Sequence, residues 1–80
     1  MKTVTINLGS IDKVKSFVND ITKFDSDFDL VSGRYVIDAK SIMGIFSIDL
    51  TRTLCLKIHS DNVDECEEIK DMIKRFIVED

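Results

Sequence analysis

Alternation of apolar and polar residues predicts four strands along the chain. The apolar members of these runs are Val4, Ile6 and Leu8; Phe28 and Leu30; Tyr35, Ile37 and Ala39; and Leu54, Leu56 and Ile58. Successive side chains of a strand point to opposite faces, so each run is expected to have one buried and one polar face. Between the second and third runs, Ser32-Gly33-Arg34 is typical of a tight hairpin turn, in which Gly33 can adopt a positive φ.

Apolar residues spaced three and four apart predict helices in the remaining segments. The first stripe is Ile11, Val14, Phe17, Val18, Ile21 and Phe24, and the last is Val63, Cys66, Ile69, Ile73, Phe76 and Ile77. Ser10 is expected to cap a first helix from about Ile11 to Phe24, because its hydroxyl can accept from a free backbone N–H. A short helix is expected from Ser41 to about Phe46. Either Asp61 or Asn62 is expected to cap the last helix, and Glu65 three residues after Asn62 comes close to a capping-box pattern.

The order of these elements is strand, helix, strand, strand, short helix, strand, helix. Strands with one polar face and helices with one apolar stripe are satisfied by a four-stranded sheet that has helices on one face and water on the other. The sequence therefore predicts a single α+β domain over residues 1–80, of the split βαβ type.

Composition excludes several classes of function. The formal charge of −4 argues against nucleic acid as the main partner. No apolar run reaches 18 residues, and the segment Met1–Thr5 alternates like a strand instead of forming a signal-peptide block. A cytoplasmic location is expected, and there Cys55 and Cys66 are expected as reduced thiols, although one disulfide is arithmetically possible.

The order of elements and the run Asp38-Ala39-Lys40-Ser41-Ile42-Met43-Gly44-Ile45 resemble HPr, the small phosphocarrier of the bacterial sugar phosphotransferase system. The similarity covers nearly the whole chain and implies the HPr-like open-faced sandwich, a four-stranded antiparallel sheet with two long helices and one short helix on one face. HPr proteins carry a phosphorylatable histidine at the start of the first helix, followed by an arginine and a proline. The aligned positions here are Ser10, Asp12 and Lys13.

This departure puts the phosphocarrier function in doubt. A serine phosphoester is a far poorer phosphoryl donor than a phosphoimidazole, and Asp12 repels a phosphoryl group that an arginine would clamp. Ser10 is therefore interpreted as a helix cap. His59, the only histidine, is expected on the polar face of the fourth strand at the opposite end of the sheet. There a surface histidine without a role is favoured over a replacement phosphate acceptor.

No other constellation indicates catalysis or metal binding. Cys55 and His59 share a strand face at a separation of about 13 Å, too far apart to ligate one metal, and Cys66 is expected as a small core residue. Acidic residues cluster in two places: Asp25, Asp27 and Asp29, and Asp64, Glu65, Glu67 and Glu68. They are interpreted as a solvated surface and as complements to a helix dipole. We expect no metal, no cofactor and no enzymatic activity.

The resemblance gives Ser41 a second interpretation beside that of a helix cap. In Gram-positive HPr proteins, and in HPr-like regulators that lack the histidine, a bifunctional HPr kinase/phosphorylase modifies the matching serine, and the modified form binds a catabolite-control transcription factor. Carried over by position, Ser41 is the acceptor and Ile42, Met43 and Phe46 form the docking patch, while Ile45 and Ile48 pack inward. The alternatives are an HPr-fold interaction module with an unrelated partner, and a divergent phosphocarrier that uses His59 or Ser10. The expected partners are HPr kinase/phosphorylase and the catabolite-control transcription factor, or other phosphotransferase-system proteins, and the chain is expected to be a monomer or weak dimer.

Overall fold

Residues 2–78 are described by a computed structural model, so the predicted strand position of Met1 and the last two residues of the predicted domain lie outside the described part. The strands are β1 (Lys2–Ile6), β2 (Asp27–Ser32), β3 (Tyr35–Asp38) and β4 (Leu54–His59). The helices are α1 (Ile11–Ile21), α2 (Ile42–Ile45) and α3 (Val63–Met72), followed by a 3-10 turn over Lys74–Phe76. The predicted order of elements is confirmed.

The sheet has the strand order β1-β4-β2-β3, and each neighbouring pair is antiparallel. The inward residues of β4, which are Leu54, Leu56 and Ile58, are almost fully buried, because β4 is paired on both sides and the helices cover this face. The predicted open-faced α+β sandwich is therefore confirmed. The predicted burial is wrong at Tyr35, which lies on the edge strand β3 and is 70% exposed.

The hairpin between β2 and β3 forms as predicted. Gly33 has a φ of 59°, the left-handed region in which a Cβ would be strained. Ser32 and Tyr35 pair directly across the turn, so the glycine sets the register of the whole hairpin.

The first helix begins after its predicted cap but ends earlier than expected. The Ser10 hydroxyl accepts from the backbone N–H of Lys13 at 3.2 Å, and the helix ends at Ile21 instead of Phe24. The N–H of Phe24 donates to the carbonyl of Ile21 at 3.1 Å, a tighter i−3 bond that closes the last turn. Ile11 remains 59% exposed, so the buried stripe begins at Val14.

The last helix also ends earlier than predicted. It stops at Met72, and the chain then leaves it to run beside β1. The N–H of Val78 donates to the carbonyl of Thr5 at 2.9 Å. The N–H of Asn7 likewise donates to the carbonyl of Phe76 at 2.9 Å. These two hydrogen bonds pair the last described residues with β1 and the residue after it, and they replace the helical hydrogen bonds that were expected up to Ile77. Val63, predicted on the apolar stripe, is 72% exposed.

The core joins the helices to the inward face of the sheet. Phe17 of α1 meets Phe76 edge to face with ring centroids 5.7 Å apart, a favoured aromatic geometry. Cys66 is buried and its thiol lies 3.5 Å from the carbonyl of Ser60. Both Cys66 and Cys55 are free thiols, as predicted.

The cap of α3 differs in one detail from the expected capping box. Asn62 is the cap and accepts from the N–H of Glu65 at 3.1 Å. The Glu65 carboxylate does not reach back to the N–H of Asn62, which donates to Ser60 Oγ instead. The Glu65 carboxylate instead accepts a hydrogen bond from the Ser26 hydroxyl. This bond links the loop after α1 to the start of α3.

Protonation of Glu65 is expected to weaken the fold at low pH. The hydroxyls of Ser26 and Ser60 hold the pKa of Glu65 below its ordinary value of 4.5. A carboxyl whose pKa is lowered by folding stabilises the folded state above its unfolded pKa, and this stabilisation is lost as pH falls through the folded value. The urea midpoint of the parent protein should therefore approach that of Glu65→Gln as pH is lowered from about 7 to about 3.

The control for this measurement is Glu67→Gln, which neutralises an exposed carboxylate on the same helix. If both variants differ from the parent by the same pH-dependent amount, the contact between Ser26 and Glu65 does not contribute in this way.

Candidate docking site at the short helix

The short helix α2 is set by a serine cap. Ser41 has extended backbone dihedrals (φ −93°, ψ 98°), and its Oγ accepts from the N–H of Gly44 at 3.3 Å. Its carbonyl accepts from the N–H of Ile45 at 3.1 Å. The side chain of Ser41 is exposed, so the hydroxyl is accessible to solvent at a helix start, where free N–H groups favour an anion.

Gly44 allows the serine to approach the helix backbone closely. A Cβ at Gly44 would lie 3.3 Å from Ser41 Oγ, which is tighter than most Cβ contacts, so the serine hydroxyl would have to shift by a few tenths of an ångström. At the other end of α2, Ser47 Oγ donates to the carbonyl of Gly44 at 2.6 Å. Serine hydroxyls therefore close both ends of this one-turn helix.

The three residues predicted as the docking patch are not equally exposed. Met43 is 76% exposed and Phe46 is 39% exposed. Ile42 is half-buried and packs against the core. Ile45 is fully buried and Ile48 is half-buried, so both contribute to the core as expected. The uncovered apolar surface of α2 and its C-terminal cap thus belongs mainly to Met43 and Phe46.

Lys40 fixes the segment that precedes α2, a role that sequence reasoning missed. Its ammonium donates to the carbonyl of Phe24 at 2.7 Å and lies 5.5 Å from the centre of the Phe28 ring. A cation over an aromatic face is stabilised by the ring quadrupole. The lysine ties the start of α2 to the turn after α1. No local pattern signals a contact between residues 16 positions apart.

The Ser10 region contains a helix cap beside a carboxylate. Ser10 uses its hydroxyl as acceptor for Lys13 N–H, and Asp12 lies in the first turn of α1. This confirms the cap interpretation. An acid in the first turn complements the positive helix end but repels a phosphoryl group.

His59 is engaged by a carboxylate at the far end of the sheet. Its Nε2–H donates to Asp29 Oδ2 at 2.7 Å. The pairing of Ile6 with Leu54 and of Lys2 with Ile58 places Ser10 and His59 at opposite ends of the sheet, as predicted. The partner was missed, because only the register of β2 and β4 brings Asp29 beside His59.

Comparison with known proteins gives the family. Residues 12–77 match the sequence model of a protein family that is described as the phosphorylation site of the phosphotransferase-system HPr component. The chain belongs to the HPr family. A search of curated protein sequences finds no match.

Solved HPr-family structures share the fold over nearly the whole chain. The HPr-C-His protein of Thermoanaerobacter tengcongensis is 28% identical with a TM-score of 0.73, and 92% of each chain is covered. The phosphocarrier HPr of Bacillus anthracis is 22% identical with a TM-score of 0.70, covering 96% of this chain and 94% of its own. The catabolite repression protein Crh of Bacillus subtilis, described as a swapped dimer, is 22% identical with a TM-score of 0.63, covering 95% and 90%.

The matched range includes the Ser41 segment and begins two residues after Ser10. The correspondence of Ser10 with the carrier position therefore stays a prediction of the sequence. Among residues 2–78 of this HPr-family chain, no helix has the length and apolar character needed to cross a membrane.

Proposed function

We propose that this chain is a regulatory HPr-family protein that binds a partner protein through α2 and is switched by phosphorylation of Ser41. The observation that carries the proposal is the exposed Ser41 hydroxyl at the start of α2, next to the uncovered side chains of Met43 and Phe46. An acceptor and two apolar anchors thus lie within six consecutive residues.

Phosphorylation at this position changes the surface and keeps the fold. A phosphate adds a charge of about −1.5 to −2 and three acceptor oxygens. At Ser41 it lies at the positive end of α2, where its oxygens can take over the bond that Oγ makes with Gly44 N–H. Because Met43 is largely exposed, a partner that reads both groups distinguishes the two states.

The proposed partners are an HPr kinase/phosphorylase and a catabolite-control transcription factor, acting in the cytoplasm on a monomer or weak dimer. The HPr family supports these partners, and the name of the similar Crh protein connects this fold with catabolite repression. No chemical step is assigned to the chain itself, since HPr proteins carry phosphoryl groups and do not catalyse their transfer.

Ser41→Ala is expected to abolish phosphate incorporation by HPr kinase and ATP. Intact-protein mass spectrometry should show one added phosphate on the parent protein and none on the variant. The control is Ser47→Ala, which removes an exposed serine hydroxyl at the other end of α2 and should be labelled like the parent. Because loss of a cap costs about 1 kcal/mol, circular dichroism should confirm that Ser41→Ala remains folded at the assay temperature. Labelling of Ser41→Ala at the parental level would assign the acceptor to another residue.

No phosphoryl transfer from phosphoenolpyruvate and enzyme I to this chain is expected. Ser10 is a helix cap beside Asp12, and the His59 imidazole is hydrogen-bonded to Asp29. An authentic phosphocarrier HPr serves as the positive control. Acid-labile label on the parent chain that disappears in His59→Ala would instead make it a divergent phosphocarrier.

An HPr-fold interaction module with an unrelated partner is the remaining alternative. It is favoured if the kinase ignores the parent chain while a purified partner binds equally to the parent and to Ser41→Ala.

A further inference from the structure

A cleft that Ser41 does not line opens beside the hairpin of β2 and β3. It has a volume of about 890 Å³ and is bordered by the β2–β3 turn on one side and by the segment from α2 to β4 on the other. Gly33 and Arg34 form the turn, and Arg52 and Thr53 immediately precede β4. This volume falls within the range of small-molecule sites.

Two guanidinium groups border this cleft. The Arg34 guanidinium has no hydrogen-bond or ion-pair partner within the part of the chain that the structure describes, and the residue is exposed. Arg52 has only an exposed contact with Asp49, at 3.5 Å, and its side chain is 80% exposed. Both guanidinium groups therefore retain free donors, and their fork geometry suits phosphate oxygens.

Hydroxyl groups add uncharged donors around the same space. Ser32, Ser47 and Thr53 line the cleft from its two sides. Hydroxyls commonly complete the coordination of phosphate oxygens beside arginines, as in nucleic-acid backbone contacts.

One carboxylate, Asp49, faces the cleft and opposes an anion. It accepts from the N–H and hydroxyl of Thr51 at 2.9 and 2.5 Å, which turns it toward its own loop. The lining carries two arginines and one acid, a balance of +1, whereas the whole chain carries −4. The local positive charge therefore favours an anion in this cleft, although the protein as a whole is negatively charged.

Tyr35 supplies a flat apolar surface next to Arg34. It is 70% exposed although it begins a strand, so its ring is free to stack on the organic part of a ligand. We propose that this cleft binds a small phosphorylated organic molecule, with its phosphoryl group on Arg34 and Arg52 and its body against Tyr35. Ser41 does not line this cleft, whereas Ser47 and Ile48, which follow α2, do.

Two-dimensional ¹⁵N NMR titration of the full, unphosphorylated chain tests this proposal. The probes are AMP, ribose 5-phosphate, adenosine and inorganic phosphate. AMP and ribose 5-phosphate are expected to shift the amides of residues 32–35 and 47–53 with dissociation constants below about 10 mM, and adenosine is expected to shift none of them. A response to AMP much stronger than that to ribose 5-phosphate identifies the base as the stacked group. An equal response to inorganic phosphate would show that the organic part of the ligand is not recognised, and would overturn the proposal.

Arg34→Gln and Arg52→Gln are each expected to weaken binding of the phosphorylated probe by about tenfold, the loss of one charge-assisted contact. The control Lys15→Gln removes the same charge from an exposed position on α1 and should bind like the parent. Both arginines are exposed surface residues, so the variants should remain folded. The proposal is wrong if no probe shifts these amides, if the shifts map to other residues, or if Lys15→Gln loses as much affinity as the arginine variants. Repeating the titration with Ser41→Ala keeps this result separate from the proposed regulation.

Discussion

Replacing Met43 and Phe46 together by serine is expected to weaken binding of the phosphorylated chain to the catabolite-control transcription factor by about 30- to 700-fold. This range corresponds to a loss of about 2–4 kcal/mol, typical of buried apolar anchors at protein interfaces. The two side chains supply most of the uncovered apolar surface of α2 and its C-terminal cap. Isothermal titration calorimetry with the serine-phosphorylated parent and variant measures the change.

The controls for this experiment exclude effects of exposed apolar surface in general. Val36→Ser and Val63→Ser remove side chains that are 60% and 72% exposed but lie on β3 and α3, and they should retain parental affinity. Ile42 is less suitable for this test because it packs against the core, so its loss would also loosen the helix. Equal losses in the valine controls, or full affinity of the double variant, would place the interface elsewhere.

Arg75→Met is expected to lower the free energy of unfolding by about 2 kcal/mol, because it leaves the Asp20 carboxylate without its cation. Arg75 Nη2 donates to Asp20 Oδ2 at 2.7 Å, and the side chains are 55% and 11% exposed. The expected loss is below that of a fully buried pair because water reaches the guanidinium. Methionine keeps an apolar stem beside Phe76, over whose ring the guanidinium lies at 4.5 Å. Urea unfolding gives the difference.

A double-mutant cycle separates the ion pair from packing. If the unpaired carboxylate causes the loss, Asp20→Asn introduced into Arg75→Met should restore part of the stability. The matched control is Arg52→Met, whose pair with Asp49 is largely exposed, so its loss should hardly change the free energy of unfolding. Additive effects of Asp20→Asn and Arg75→Met would show that the pair contributes little.

Local patterns were sufficient to predict the elements and their starts. Strand alternation predicted the burial of Leu54, Leu56 and Ile58. Polar residues before the apolar stripes predicted the cap Ser10 and narrowed the cap of the last helix to Asp61 or Asn62, of which Asn62 is used. These features depend on neighbours within about four residues, which the sequence displays directly.

Helix ends were predicted less well, because distant contacts decide them. The last helix ends at Met72 because the residues that follow turn away and pair with β1, where the N–H of Val78 donates to the carbonyl of Thr5. Val63 and Ile11 match the apolar spacing but lie in first turns that the core does not cover. Periodicity predicts which side of a helix a residue lies on, but it does not show how far the protein core extends along that side.

The sequence by itself determined the α+β fold, the Gly33 turn, the serine at the start of α2 and the presence of a single histidine at the end of β4. Only the tertiary structure decided the partners of the charged side chains: Asp29 for His59, Ser26 for Glu65 and Asp20 for Arg75. It also decided that Met43 and Phe46 lie outward while Ile42 is partly covered. The physical reason is that hydrogen bonds and apolar periodicity within an element act over a few residues. Ion pairs and exposure instead depend on strand register and helix packing that join residues tens of positions apart.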